Sequence, residues 1–207
     1  MKHEWRKHEK GIYMPKRKPE LIDVPTQHFF TITGSGNPNS SDFSERIEVL
    51  YALSYAIRMM NKTMYVPDDY FEYTVYPLEG VWDLSLEGRQ KDQWEKDDLR
   101  YKIMIRQPEF VTAETIQYAM ETVKAKNKVQ HIDEVKFESL TDGLCLQMLH
   151  IGPYETEQET FDLMDAYAAE QGYERLSLRH KEIYLSDFRR TKAENLKTVL
   201  RYQVRPL

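Results

Sequence analysis

Hydrophobic and polar positions alternate most cleanly at Lys181-Glu182-Ile183-Tyr184-Leu185-Ser186. A period of two predicts a β-strand, with Ile183 and Leu185 on one face and Glu182, Tyr184 and Ser186 on the other. The first face suits a core. The second sets a carboxylate beside a phenol on a rigid platform. Runs rich in aromatic and β-branched residues predict further strands at 27–34, 101–106, 144–151 and 197–204, and a long extended segment at 71–82 that Pro77 marks as an edge or a bulge. A 3.6-residue period predicts three helices. Over 42–60, Phe43, Ile47, Leu50, Ser54 and Ile57 form one stripe that Val49, Leu53 and Ala56 widen, with Asp42 as the cap and Glu45 at the capping-box position. Over 112–126, Ile116, Ala119, Met120 and Val123 share a face, and lysines gather at the favourable C-terminal end. Over 156–170, Phe161, Met164, Tyr167 and Ala168 face a core, with Gly172 just beyond.

The order repeats itself. Each half runs strand, glycine-marked loop, buried helix, aromatic strand, charged loop, terminal strand. Tyr73-Thr74-Val75-Tyr76 matches Lys181-Glu182-Ile183-Tyr184, so Tyr76 stands opposite Tyr184 and Thr74 opposite Glu182. A period of about a hundred residues is too long for a solenoid and points to a duplicated half-domain. The expected fold is α+β: two βαββ repeats related by a pseudo-twofold axis, an antiparallel sheet with both long helices on one side, and a ligand cleft between the repeats. The expected organisation is an arm at 1–24 packed on a domain at 25–207, with repeat one at about 25–110, a linking helix at about 112–127 and repeat two at about 140–207.

Composition narrows the chemistry. The chain has 207 residues, of which 41% are hydrophobic and 30% charged. At that length about 70% of the unfolded chain's surface can be buried, enough for a core. The 14 tyrosines, 8 phenylalanines and 3 tryptophans are suited to cores and to ligand pockets alike. A net charge of −5 argues against nucleic acid as a partner. The basic residues before position 24 are interrupted by Glu4 and Glu9, so an arm held by Trp5, Ile12 and Tyr13 is favoured over one for nucleic acid. The single cysteine, Cys145, excludes an intrachain disulfide and a cysteine zinc cluster, and fits a reducing compartment. No apolar run approaches the ~20 residues of a membrane span, and residues 1–17 lack the apolar core of a signal peptide. A cytoplasmic protein is expected, with no membrane partner; monomer and homodimer are both open.

Glu182 is the sharpest candidate: mid-strand among apolar neighbours, it is either solvated on an open sheet face or held in a cleft. Tyr76, Tyr184, Phe71, Tyr73, Trp82, Tyr51, Tyr55 and Tyr154 each read singly as core or surface. As a set they recur at matching places in two half-repeats, and ring faces attract cations and flat aromatic molecules. Glu79 either adds a second carboxylate to the same cleft or belongs to a strand-end turn around Gly80. His150 closes a strand and reads as a hydrogen-bonded structural residue rather than a catalyst. His180 and Glu182 form a His-x-Glu pair without a third ligand at helical spacing, so no metal site is expected. Gly34-Ser35-Gly36 lacks the Lys-Ser/Thr of a phosphate loop, there is no Gly-x-Ser-x-Gly elbow, and no cofactor is implied.

Four stretches together resemble a known family: residues 71–82, His150-Ile151-Gly152-Pro153-Tyr154, Glu182-Ile183-Tyr184-Leu185-Ser186-Asp187, and Leu196-Lys197-Thr198-Val199-Leu200-Arg201. They are similar to GyrI-like small-molecule-binding domains, related to the effector-binding domains of AraC-type and MerR-type multidrug regulators. The resemblance is closest to stand-alone bacterial cytoplasmic members without a DNA-binding domain, and runs from about Trp5 to Val204. It implies the two-repeat fold and an aromatic cleft around a central glutamate, matched here by Glu182, that binds lipophilic and often cationic drugs or dyes. Tyr184, Tyr76, Trp82 and Tyr154 match the walls. The resemblance also implies an alternative: some stand-alone members are hydrolases that open the cyclopropane of DNA-alkylating natural products with a glutamate and a tyrosine, here Glu182 with Tyr184 or Tyr154. Phe188 departs from the pattern, standing where proline is expected after Ser-Asp.

Overall fold

The computed structural model describes residues 2–207. In chain order the elements are α1 (Trp5–His8), α2 (Lys10–Tyr13), β1 (Glu20–Ser35), α3 (Ser41–Arg58), β2 (Leu78–Leu84), β3 (Leu99–Gln107), α4 (Ala113–Lys126), β4 (Lys136–Ile151), α5 (Glu157–Glu170), β5 (Tyr173–Arg175), β6 (His180–Tyr184) and β7 (Lys197–Pro206), with 3-10 turns between several of them. The fold is α+β with antiparallel strand pairing. Among the described residues no helix is long and apolar enough to cross a membrane. The chain sorts into two compact units, and β1, β2 and β4 each run from one into the other.

The first unit holds the residues up to Glu4, Gln27–Leu78 and Leu84–Leu140. Here β1 and β3 pair with Phe30 opposite Ile105, both fully buried. Helix α3 buries Phe43, Val49, Leu50, Leu53, Ser54 and Ile57 of its expected stripe, leaves Ile47 and Ala56 half-buried, and packs on β3 and α4. Its cap is Ser40, whose hydroxyl accepts from the Phe43 amide at 3.3 Å, rather than Asp42. Asp42 sits one residue inside the helix, where it pairs with Arg46 one turn on. The extended segment expected at 71–82 is shorter: β2 starts at Leu78, and upstream only Tyr73 makes a ladder contact, an isolated parallel bridge to His3. Tyr73 and Tyr76 are both buried, a spacing of three that breaks the alternation a strand requires, and Pro77 has no N–H to offer a ladder.

The second unit holds Trp5–Thr26, Glu79–Asp83 and Thr141–Leu207. Strand β7 is its centre, pairing with β4 on one side and with β6 and β5 on the other. Strand β6 pairs in turn with β2, with Gly80 opposite Glu182 and Trp82 opposite His180. The neighbour of Glu182 is therefore β2 and not residues 73–76. One sheet face carries Leu146, Met148, Leu200 and Tyr202, which pack with Phe161, Met164 and Ala168 of α5. The other face is charged and buried. Lys181 Nζ lies 2.6 Å from Asp142 Oδ2 and 3.3 Å from Glu79 Oε2, and Arg201 donates to Gln147 Oε1 and to the Ile12 carbonyl. Trp5 and Tyr13 are buried with their rings 5.3 Å apart, and Arg6 donates to the Leu185 carbonyl at 2.7 Å.

Candidate functional site

The alternation of β6 decides which of its side chains share a face. Ile183 is fully buried on the charged face with Lys181, while His180, Glu182 and Tyr184 point to the side that α5 covers. Glu182 is 9% exposed, so its charge has little water and needs fixed partners. Tyr184 Oη donates to its Oε2 at 2.8 Å, and His180 Nε2 lies 3.2 Å from its Oε1. Trp82 Nε1, which can only donate, gives its proton to Tyr184 Oη at 2.8 Å. The direction is thus fixed along the chain: indole to phenol to carboxylate. Burial first, and then the charge of Glu182, raise the Tyr184 phenol well above its ordinary range, so it stays a neutral donor. His180 Nδ1 faces the Leu178 carbonyl at 3.2 Å.

This relay needs Gly80. A Cβ there would stand 2.8 Å from Trp82 Nε1 and 3.2 Å from Tyr184 Oη, inside the space the hydrogen bond occupies. The glycine thus serves close approach between two side chains.

The turn at Gly152-Pro153 brings the next elements over the end of β4. Tyr154 is 37% exposed, with its ring edge-on to Tyr184 at 6.1 Å. Burial pushes its phenol up to about 12, and Glu182 adds to the shift. His150 is satisfied internally: Nε2 donates to the Pro153 carbonyl at 3.1 Å, and Nδ1 meets Thr160 Oγ1 at 2.8 Å. This bonding is that of a residue that fixes the turn and the start of α5. Glu157, the first residue of α5, is 7% exposed, and its Oε1 has no hydrogen-bond partner. Burial and then the charge of Glu182 raise its carboxyl to about 10, so it is a neutral acid at neutral pH. The helix dipole favours a charge at this end, but it is outweighed.

The second unit therefore brings Glu182, Tyr184, Trp82 and Tyr154 together and adds His180 and Glu157. The other expected residues lie elsewhere. Glu79 is opposite Ile183 and so on the charged face, where Lys181 partners it. Phe71, Tyr73 and Tyr76 belong to the first unit, in a ring cluster with His3 and Phe110. The Arg106 guanidinium already covers the Tyr76 ring at 4.7 Å. Tyr51 and Tyr55 pair along α3, with Tyr55 half exposed. A depression of about 120 Å³ in the first unit is lined by Lys2, Arg58, Lys62, Glu72 and Tyr73, a mixed-charge surface unlike the Glu182 site. Cys145 is buried, and burial pushes its thiol up to about 12. No group of three or more His, Cys, Asp or Glu side chains among the described residues could hold a metal ion.

Glu157 escaped the sequence reading because an acid in the first turn of a helix is ordinary. The signal that could have found it is the Gly152-Pro153 turn, which folds the helix start back over the strand that carries His150.

The GyrI-like small molecule binding domain family matches residues 17–205. A hydrolase from Listeria innocua is 33% identical, covers 98% of this chain and 100% of its own, and superposes with a TM-score of 0.89. An uncharacterized conserved protein from the same organism is 36% identical over 98% of this chain and 100% of its own, with a TM-score of 0.90. The EcmrR C-terminal domain shares the fold alone, at 10% identity over 95% of this chain and 99% of its own, with a TM-score of 0.53. No curated protein sequence matches the chain.

Proposed function

The chain belongs to the GyrI-like small-molecule-binding domain family, and from that premise we propose that it binds lipophilic aromatic cations against Glu182. One observation carries the reading: a nearly buried carboxylate accepting from the Tyr184 phenol, which the Trp82 indole holds in turn, with the exposed Tyr154 ring against Tyr184. Such a charge is poorly hydrated, so an organic cation offers it compensation that water does not. The ring faces add cation–π attraction of about 0.5–2 kcal/mol each. Titration with rhodamine 6G tests this: saturable binding is expected, and none would remove the reading.

A second reading is favoured by the hydrolase from Listeria innocua that matches over the whole chain. On a cyclopropane-bearing alkylator, Glu182 would take a proton from water as the water oxygen bonds to the ring methylene. The strained C–C bond breaks, and its electron pair passes into the conjugated carbonyl, which takes up a proton. Tyr184 or Tyr154 would supply that proton; the Tyr184 hydrogen bond to Glu182 favours Tyr154. Mass spectrometry of the incubated alkylator separates the readings: a product heavier by one water supports turnover, and unchanged bound alkylator supports binding alone.

A further inference from the structure

We infer that Glu157 is the second carboxyl of this site and that a cation captured beside Glu182 expels the Glu157 proton. The inference rests on the cation-binding reading and gives it a rule: the site takes up positive charge in exchange for a proton, so its ligands are cations that bind more tightly as pH rises.

Glu157 opens α5, on the helix that covers the sheet face carrying Glu182. Burial, and then the charges of Glu182 and Glu155, raise the Glu157 carboxyl, and Glu182 and Glu157 both act on the Tyr184 phenol. The Glu157 Oε1 is buried without a hydrogen bond, an arrangement tolerable for a neutral acid and costly for an anion. Two like carboxyls in one dry site share a single negative charge, because the second ionisation would meet the first at close range. A cation placed there reverses the balance. The O–H bond of the Glu157 carboxyl then breaks, the proton leaves for the buffer, and both carboxylates face the ligand.

The groups coupled to Glu157 are Glu182 and Tyr184 of β6 and Tyr154 and Glu155 of the turn before α5. Around these in turn, His180 bonds Glu182, Asp187 acts on Tyr154, and His150 of β4 bonds Thr160 of α5. Tyr154 and Tyr184 are phenols held neutral by burial, and Asp187 is kept ionised by its hydrogen bond to Arg189. His180, against Glu182, is the rival source of a proton.

The test is calorimetric titration of the full chain with tetraphenylphosphonium, an aromatic cation with no proton of its own. It is run at pH 8.0–9.5, above the range where an imidazole ordinarily changes charge, in two buffers of different ionisation enthalpy. The wild type should release close to one proton per ligand, and its Kd should fall by up to about tenfold per pH unit. Glu157→Gln should bind with no release and a Kd independent of pH. Binding without release in the wild type, a measurement that needs no variant, overturns the inference and leaves cation binding intact. Release that persists in Glu157→Gln assigns the proton to another group and also overturns it. Absence of any binding removes the cation-binding reading and the inference with it.

Discussion

Glu157 and Glu182 carry the same carboxyl into surroundings that differ in one respect, the donors on offer. Glu182 has a phenol and an imidazole, whereas one oxygen of Glu157 has nothing. The consequence reaches folding. An unfolded glutamate ionises near 4.5, but in the fold burial and Glu182 hold the Glu157 proton up to about 10. Below the ordinary carboxylate range both states keep the proton and the fold loses nothing. Between those limits the unfolded chain is ionised and the folded one is not, so stability falls as pH rises. This single group can cost up to about 1.4 kcal/mol per pH unit. Glu157→Gln should therefore unfold at higher urea than the wild type at pH 9, with the difference shrinking toward pH 5. Parallel pH profiles of the two proteins would contradict this.

At the scale of elements, the pairing of β2 with β6 organises the site, and Gly80 sets how closely the two strands' side chains approach. Gly80→Ala should break the bond from Trp82 to Tyr184 and cost about 1–3 kcal/mol, the range for overpacking a filled site. Urea unfolding would give the cost, and a shift in indole emission would report the lost hydrogen bond. A cost near zero with unchanged emission would mean the relay is not built on this glycine. The strand carrying Glu182 was legible because a period of two is unambiguous when Ile183 and Leu185 alternate with polar residues. The three long helices were legible from their 3.6-residue period, although Ile47 and Ala56 of the expected α3 stripe are only half-buried and the short α1 and α2 were read as an arm. The partner of β6 was not, since Tyr73-Thr74-Val75-Tyr76 resembles Lys181–Tyr184 by composition alone. Register is a tertiary property, and Tyr73 and Tyr76 turn inward together rather than alternating. The α3 cap was missed by two residues because Ser40 and Asp42 are equally good capping types and only backbone geometry chooses between them.

At the scale of the whole molecule, the second unit has an apolar face toward α5 and a buried charged face built on Lys181, Asp142, Glu79 and Arg201. Nothing in the alternation of β6 announces this, because Lys181 falls in step with Ile183 and reads as the solvated end of a strand. Burial alone would push the Asp142 carboxyl up, but Lys181 and Arg201 together hold it below its usual range. A depressed carboxyl stabilises the fold above its unfolded pKa, and that contribution is lost as pH falls through the folded value. Lys181→Met takes the cation from buried Glu79 and leaves Asp142 with Arg201 alone, and should cost about 3–5 kcal/mol at pH 7, less in acid where Asp142 can take a proton. A loss below about 1 kcal/mol in urea would show the charged face to be solvated. The proposed binding turns on a narrower point, that Glu182 holds the ligand's charge. Its most direct test is rhodamine 6G binding to wild type and Glu182→Gln, both checked for folding by circular dichroism. A Kd weaker by at least about tenfold, or about 1.4 kcal/mol, is expected in the variant; equal affinity in the two folded proteins would contradict a charge-holding Glu182.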